Sequence, residues 1–266
     1  MRALLSGEML KLIRQPGILF WGFVAVPFCV LLFRLSLEML VVVRTGRGMP
    51  GTVDILSSAA KTLSVSGNSV AHLLFAIGIA GVFFTEYRYA TWRHLVPRRG
   101  RPHLFAAKFL LCLIWLAAGL GLVVFGDMAL NLAVSLLSGR GSSGIVVSVD
   151  GGLMLAEAFA VAFFELAVLT AVVSAVTILT RSMIAAVIFA FVLTLTVTLL
   201  QLYLALSDTA DVLPLPASAA AALRDWLLFH GSAEAGQLGL VILFGWLAAM
   251  SALGLVVFLR QELTVE

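Results

Sequence analysis

Charge is scarce in this chain. Asp, Glu, Lys and Arg make up 12% of the 266 residues against 62% apolar residues, and the mean hydropathy is +1.11. A soluble domain carries about a quarter charged residues, so the composition excludes one and identifies an integral membrane protein. Cysteine is nearly absent: Cys29 and Cys112 both fall inside apolar runs, which excludes a disulfide framework and leaves each as a small packing residue. No glycine-rich loop ends in Gly-Lys-Ser/Thr, so the chain has no nucleotide site of that kind. A His-Glu-x-x-His pattern is missing, and no serine elbow sits within an apolar run. His72, His94, His103 and His230 lie outside the deep parts of those runs, which argues against axial ligation of a membrane haem. No active site for covalent chemistry and no cofactor is therefore assigned to this chain.

What is present is six apolar stretches, at about 17–43, 69–85, 104–138, 152–179, 183–206 and 236–259. A helix needs roughly 20 mostly apolar residues to cross about 30 Å of hydrocarbon, and each stretch meets or approaches that length. None alternates with period two, so a β-barrel is excluded. The expected fold is an all-α membrane protein of six transmembrane helices, forming a single domain over 1–266. The first stretch is too long for a signal-peptide core and no small-residue cleavage pattern follows it.

Six crossings put both termini on one side. That side carries Arg2, Lys11, Arg14, Arg88, Arg93, Arg98, Arg99, Arg101, Lys108, Arg181 and Arg260; the other carries Arg44, Arg47, Lys61, Arg140 and Arg224. The excess of basic residues predicts that the termini and the loop after the second span are cytoplasmic. It reflects membrane asymmetry and headgroup contact, not nucleic-acid binding. Residues 3–15 read as an amphipathic helix with Leu5, Met9, Leu12 and Ile13 on one side and Glu8, Lys11 and Arg14 on the other. Pro16 ends it, so residues 1–16 form an elbow lying in the headgroup region.

Ionisable residues inside spans are costly and carry function by default. Arg34 and Glu38, four apart near the outer end of the first span, are expected to pair with each other. Asp127 and Glu157 fall toward the outer boundary. Glu165 lies deep in the fourth span and is the leading intramembrane candidate; a hydrogen-bonded glutamate tying two helices together is the alternative reading. Thr194, Thr198 and Gln201 form one polar stripe on the fifth span, at a depth matching Glu165 across the short Thr180, Arg181, Ser182 hairpin. Such stripes also serve helix packing. Ala167, Ala171 and Ala175, and Gly245 with Ala249, are small-xxx-small patterns. Residues 139–144 read as a flexible loop, and Pro214 and Pro216 predict a short helix or re-entrant turn before the last span.

Between the second and third spans stands a basic, aromatic-rich segment, residues 86–103, followed by Lys108. Glu86, Thr91, Arg93, Leu95, Pro97, Arg101 and Lys108 in this order, with Glu8-Met9-Leu10-Lys11 in the elbow, make the chain resemble the permease subunit of ABC-2 type transporters. It resembles in particular the small six-span bacterial permeases of antimicrobial-peptide immunity and export. Ala90 and Gly100 depart from that family's usual glycine and serine. The resemblance implies that residues 86–95 form a cytoplasmic coupling helix docking on a separate ATPase, with Glu86, Tyr87, Arg88, Tyr89, Thr91, Trp92 and Arg93 as its contacts. It further implies a second permease chain, identical or homologous, two ATPase subunits holding ATP and Mg, outward transport, and a bacterial inner-membrane location. Tyr87, Tyr89 and Trp92 are the residue types that anchor interfaces; a basic aromatic belt among headgroups would use the same types. Two other classes remain open: an ion- or proton-coupled secondary transporter using Glu165, and a non-transporting membrane anchor.

Overall fold

The computed structural model of the chain describes residues 2–45, 53–92, 96, 100–137, 144–205 and 213–261. Its helices are α1 (Arg2–Ile13), α2 (Pro16–Leu19), α3 (Ala25–Thr45), α4 (Ile55–Leu63), α5 (Ser69–Arg88), α6 (Arg101–Leu137), α7 (Val149–Thr180), α8 (Met183–Ala205), α9 (Pro216–Phe229) and α10 (Ala233–Arg260). Strands β1 (Val53–Asp54) and β2 (Ile145–Val146) pair in parallel over two residues. Among the described residues six helices are long and apolar enough to cross a membrane: Pro16–Val41, Ser69–Arg88, Arg101–Leu136, Val149–Thr180, Met183–Tyr203 and Ala233–Arg260. The expected all-α membrane architecture is the one found.

Pro16 does what the sequence implies. It occupies the first turn of α2, where its missing N–H costs nothing, and the chain turns there out of α1. The first span then contains a π-helical turn, Phe20–Val24, closed by the Ala25 N–H on the Phe20 carbonyl. Pro27 explains it. A proline inside a helix cannot donate to the carbonyl four residues back and its ring crowds that oxygen, here Phe23, so the preceding turn widens. Gly22 lies in the widened turn, backbone to backbone with Gly78 of α5.

The fourth span, α7, is the axle. Of its most apolar window 72% is buried, against 22% for α8 and 11% for α10, and α4, α5, α6, α8, α9 and α10 all pack on it. Ala175 meets Gly254 of α10, as small residues at a close crossing should. Gly245 does not share that role, since a side chain there would meet nothing within 4 Å. The end of the bundle carrying α1, the last turn of α5, the start of α6 and the end of α10 is called the base; α4 and the strands form the top. The helix foreseen after Pro214 is α9. Trp246 Nε1 donates to the Pro214 carbonyl at 3.1 Å, and residue 246 precedes Arg260 by a helical rise of about 21 Å, so α9 begins well inside the bundle and climbs toward the top.

At the top, Asp54 ties two helices. Its carboxylate accepts from Leu56 N at 3.1 Å, capping α4, and from the Ser148 hydroxyl. Ser148 Oγ in turn accepts from Gly151 N at 2.8 Å, capping α7. The Ser148 hydrogen bond outweighs partial desolvation and holds the Asp54 carboxyl below the ordinary range. A depressed folded-state pKa gives stability that is present at neutral pH and lost as pH falls through the carboxylate range. Asp54→Ala is expected to cost about 1 kcal/mol, a usual value for a lost cap. The difference in melting temperature between wild type and variant should shrink on acidification; a difference independent of pH would show that the carboxylate does not carry the tie.

Candidate functional site

Among the described residues, three buried polar clusters interrupt the apolar bundle, one at each of three depths. At the base, Lys108 Nζ lies 2.6 Å from Glu8 Oε2 and 3.1 Å from Glu86 Oε1, and Lys11 Nζ lies 2.7 Å from Glu8 Oε1 and 2.8 Å from Glu86 Oε1. Lys108 also donates to the Val82 carbonyl at 3.0 Å, and the Thr91 hydroxyl donates to Glu86 Oε2. Two carboxylates and two ammonium groups balance, which is what allows them to be buried. Partial burial lowers the Lys11 pKa, yet its hydrogen bonds to Glu8 and Glu86 prevail and raise it. The cluster fastens the elbow α1 to α5 and α6. Glu8, Lys11, Glu86, Thr91 and Lys108, scattered through a hundred residues of sequence, meet at this one point.

This placement corrects the expected amphipathicity of α1. Glu8 is 4% exposed, whereas Ile13 is 55% exposed. The departure is confined to those two residues: Leu12 is 3% exposed and Leu5 and Met9 pack against the core as expected, while Glu8 turns inward beside them to meet Lys108.

The segment after α5 is also placed differently from expectation. Glu86, Tyr87 and Arg88 continue α5 as its last turn, and the helix stops at Tyr89 with Ala90 in the left-handed region at φ 51°. Trp92 is not a surface anchor: it is 3% exposed, 4.6 Å from the Phe258 ring and 5.8 Å from the Tyr87 ring, with Lys108 Nζ 5.7 Å above its own ring. Its burial follows from the empty space between α5, α6 and the end of α10, which an indole fills. Tyr87 Oη donates to Gln261 Oε1 at 2.8 Å, and Gln261 Nε2 donates to the Ile178 carbonyl at 3.2 Å. Arg101 caps α10 by donating to the carbonyls of Phe258, Leu259 and Gln261. Exposed in this segment are Arg88 and Tyr89, the guanidinium stacked 5.5 Å over the phenol ring. Thr91 is half-buried, and Arg93 lies outside the described residues.

In the middle, Glu165 is 4% exposed and pairs with Arg224 of α9, Nη2 to Oε2, at 2.6 Å. His72 of α5 stands between Glu165 and the fifth span: its Nε2 is 3.5 Å from Glu165 Oε1 and its Nδ1 is 3.2 Å from Thr194 Oγ1. Glu165 and Thr194 therefore do share a depth, joined by His72, which the sequence places outside the deep part of its span and the structure buries between them. Thr198 meets Ser69 at 3.2 Å, and Gln201 is half-buried one turn nearer the top. A signal for His72 existed: it shares the spacing i, i+3, i+4, i+7 with Phe75, Ala76 and Ile79, all buried. Arg224 carried none, because re-entry of α9 into the bundle is a tertiary event.

Nearer the top, Arg34 does not pair with Glu38. It reaches Asp127 of α6 through Nη1 and bonds Ser58 at 2.7 Å and Asn131 at 3.2 Å through Nη2. Asp127 is wholly buried and also accepts from Ser58 at 2.9 Å, Thr62 at 2.8 Å and Asn131 at 2.9 Å. Four donors satisfy both carboxylate oxygens, which a single-turn pairing with Glu38 would not have offered.

A family model described as "ABC-2 family transporter protein" matches residues 4–197. The match takes in the base cluster, Glu165, His72 and Thr194, and stops before Thr198, Gln201 and Arg224. No curated protein and no solved structure matches the chain.

Proposed function

From the premise that this chain belongs to the ABC-2 family of transporter proteins, as a multi-pass membrane permease of an ABC transporter, we propose that it works as one half of an exporter in a bacterial inner membrane. A second permease chain, identical or homologous, completes the path, and two separate ATPase subunits hold ATP and Mg. The base and both termini face the cytoplasm, on the side carrying most of the basic residues.

The observation that carries this reading is the family match, and the base gives it a mechanism. Arg88 and Tyr89 project from a root that is tied in three directions: to α1 through Glu86 and Lys11, to α6 through Lys108, and to α10 through Trp92 and Phe258. In this proposal the ATPase grips Arg88 and Tyr89, with Thr91 at the margin, while Glu86, Tyr87 and Trp92 pass the movement into the bundle. Tilting of α7 against α8 then opens a path along Glu165, Thr194, Thr198 and Gln201.

The pair Arg88→Glu and Tyr89→Ala tests it. An exposed tyrosine anchor and its arginine each contribute about 2 kcal/mol where they are interface hot spots, so co-purification of the ATPase should fall at least about tenfold. The permease itself should melt as wild type, because both side chains are exposed. Trp92→Ala should instead lower the melting temperature of the permease alone, by about 3 kcal/mol in stability. An ATPase retained at wild-type level by the double variant would remove Arg88 and Tyr89 as the dock.

A further inference from the structure

The cluster nearer the top holds more hydrogen-bonding capacity than its ion pair needs. Besides Arg34, Asp127 accepts from the Ser58 and Thr62 hydroxyls at 2.9 and 2.8 Å and from the Asn131 amide at 2.9 Å. Ser58 and Thr62 belong to α4 and Asn131 to α6. None stands on α3, so Asp127 keeps these neutral donors if Arg34 withdraws. A second carboxylate is carried by α3 itself. Glu38 lies one turn above Arg34, within i, i+4 reach; it is half-buried, and its Oε2 is buried with no hydrogen-bond partner. A carboxylate oxygen without a donor is costly where water is excluded, and Arg34 is the cation that the helix places beside it.

The first span is also built to bend below this point. Pro27 and the π-helical turn at Phe20–Val24 interrupt its helix, with Pro27 about 10 Å below Arg34 at helical rise. Beneath them Gly22 is locked backbone to backbone on Gly78. Above them the hold is slight. Only 28% of the span's most apolar window is buried, and Leu31 rests in the notch of Gly126 by side-chain atoms that can slide out. Between Val30, Leu63, Phe75 and Leu120 the packing leaves a small void. We propose that residues 27–45 form a gate leaf that swings about Pro27, with Arg34 as its latch, bonded to Asp127 when the leaf is shut and to Glu38 when it is open. Either way the guanidinium has a carboxylate, so it never enters the lipid alone. One carboxylate is without a cation in each position, Glu38 in the shut leaf and Asp127 in the open one. That symmetry keeps the two positions close in free energy, as a two-state element requires. The inference adds a movement of the first span to the proposed path along α7 and α8 and does not depend on that path.

The test uses the full chain in lipid nanodiscs, with Cys29 and Cys112 replaced by Ala and spin labels at two exposed positions, Val43 on the leaf and Leu153 on α7. Double electron–electron resonance reads their separation, and wild type should give one dominant distance. Asp127→Asn keeps the shape of the side chain, and its amide can still bond Ser58 and Thr62, whose hydroxyls donate or accept. It removes the charge from one side of the exchange. A second, longer distance should then appear, with the ratio of long to short raised about tenfold, the worth of one charge-assisted hydrogen bond. Adding Glu38→Gln should lower that ratio again by a similar factor. Glu38→Gln alone should melt as wild type, because Glu38 makes no hydrogen bond in the shut leaf. An unchanged distance distribution in Asp127→Asn overturns the proposal. So does a long population that is the same with and without Glu38→Gln, since the leaf would then merely loosen when its tie is cut. A large fall in melting temperature for Glu38→Gln alone overturns it as well, by making Glu38 part of the shut state, and this arm holds even where Asp127→Asn does not fold.

Discussion

Lys108→Met should unfold the base of the bundle. The side chain of Lys108 is 2% exposed and those of Glu8 and Glu86 are 5% and 2% exposed, so removing its charge leaves two buried carboxylates sharing Lys11 alone. Breaking a buried pair by deleting one partner costs about 3–5 kcal/mol, a large part of the stability of a folded domain. Lys11→Met should cost far less, because its side chain is 43% exposed and water screens the loss. Charge balance, more than the number of ion pairs, sets the penalty. The double variant Lys108→Met with Glu8→Gln restores one carboxylate to one ammonium group and should therefore recover more than half of the lost stability. Thermal melts of detergent-solubilised protein, followed by size-exclusion fluorescence, give the ordering directly. A double variant no more stable than Lys108→Met would show that charge balance is not what holds α1 to α5 and α6.

The cluster also shows which parts of this molecule can be read from its sequence. Span positions are a matter of run length and hydropathy, and all six observed helices begin and end within a few residues of the apolar stretches. Pro16 marks the elbow by a local steric rule and needs no tertiary information. Partnerships are another matter. Arg34 chooses Asp127, 93 residues away, over Glu38, four residues away, because on the third span that carboxylate is also met by Asn131 and by Ser58 and Thr62 of α4. Sequence spacing sees only the nearer choice. Glu8 and Trp92 were misjudged for a related reason: each is buried by a distant partner, Glu8 by Lys108 and Trp92 by Phe258. In the middle cluster Glu165 and Thr194 were legible from depth along their helices, whereas Arg224 arrives on a re-entrant helix that no local pattern places against Glu165.

The contact between Gly22 and Gly78 should be as intolerant as the base cluster, through sterics alone. A Cβ on Gly78 would lie 2.7 Å from Gly22 Cα, and one on Gly22 would press on the Gly78 backbone more closely still. Real Cβ atoms do not come so near, and neither obstacle is a side chain that could rotate away. The π-helical turn at Phe20–Val24 leaves little slack, since Pro27 imposes its width from one side and Gly119 lies 3.2 Å, measured from where its own Cβ would be, from the Phe23 carbonyl on another. Gly22→Ala and Gly78→Ala must therefore each push the first span off α5. Overpacking of this kind costs about 3 kcal/mol or more where the backbone has to move, and separation of the first span would also strain the elbow and the base cluster beneath it. Gly17→Ala, Gly121→Ala and Gly245→Ala serve as controls, because a Cβ at those positions meets nothing within 4 Å; in a helix the change should be neutral or stabilising by up to about 1 kcal/mol. Melting temperatures of the five variants should fall into two groups, Gly22 and Gly78 far below wild type and the other three at or above it. If Gly78→Ala melts with the controls, the first span does not lie against α5 along the Gly22 turn, and the entry of the elbow into the bundle must follow another course.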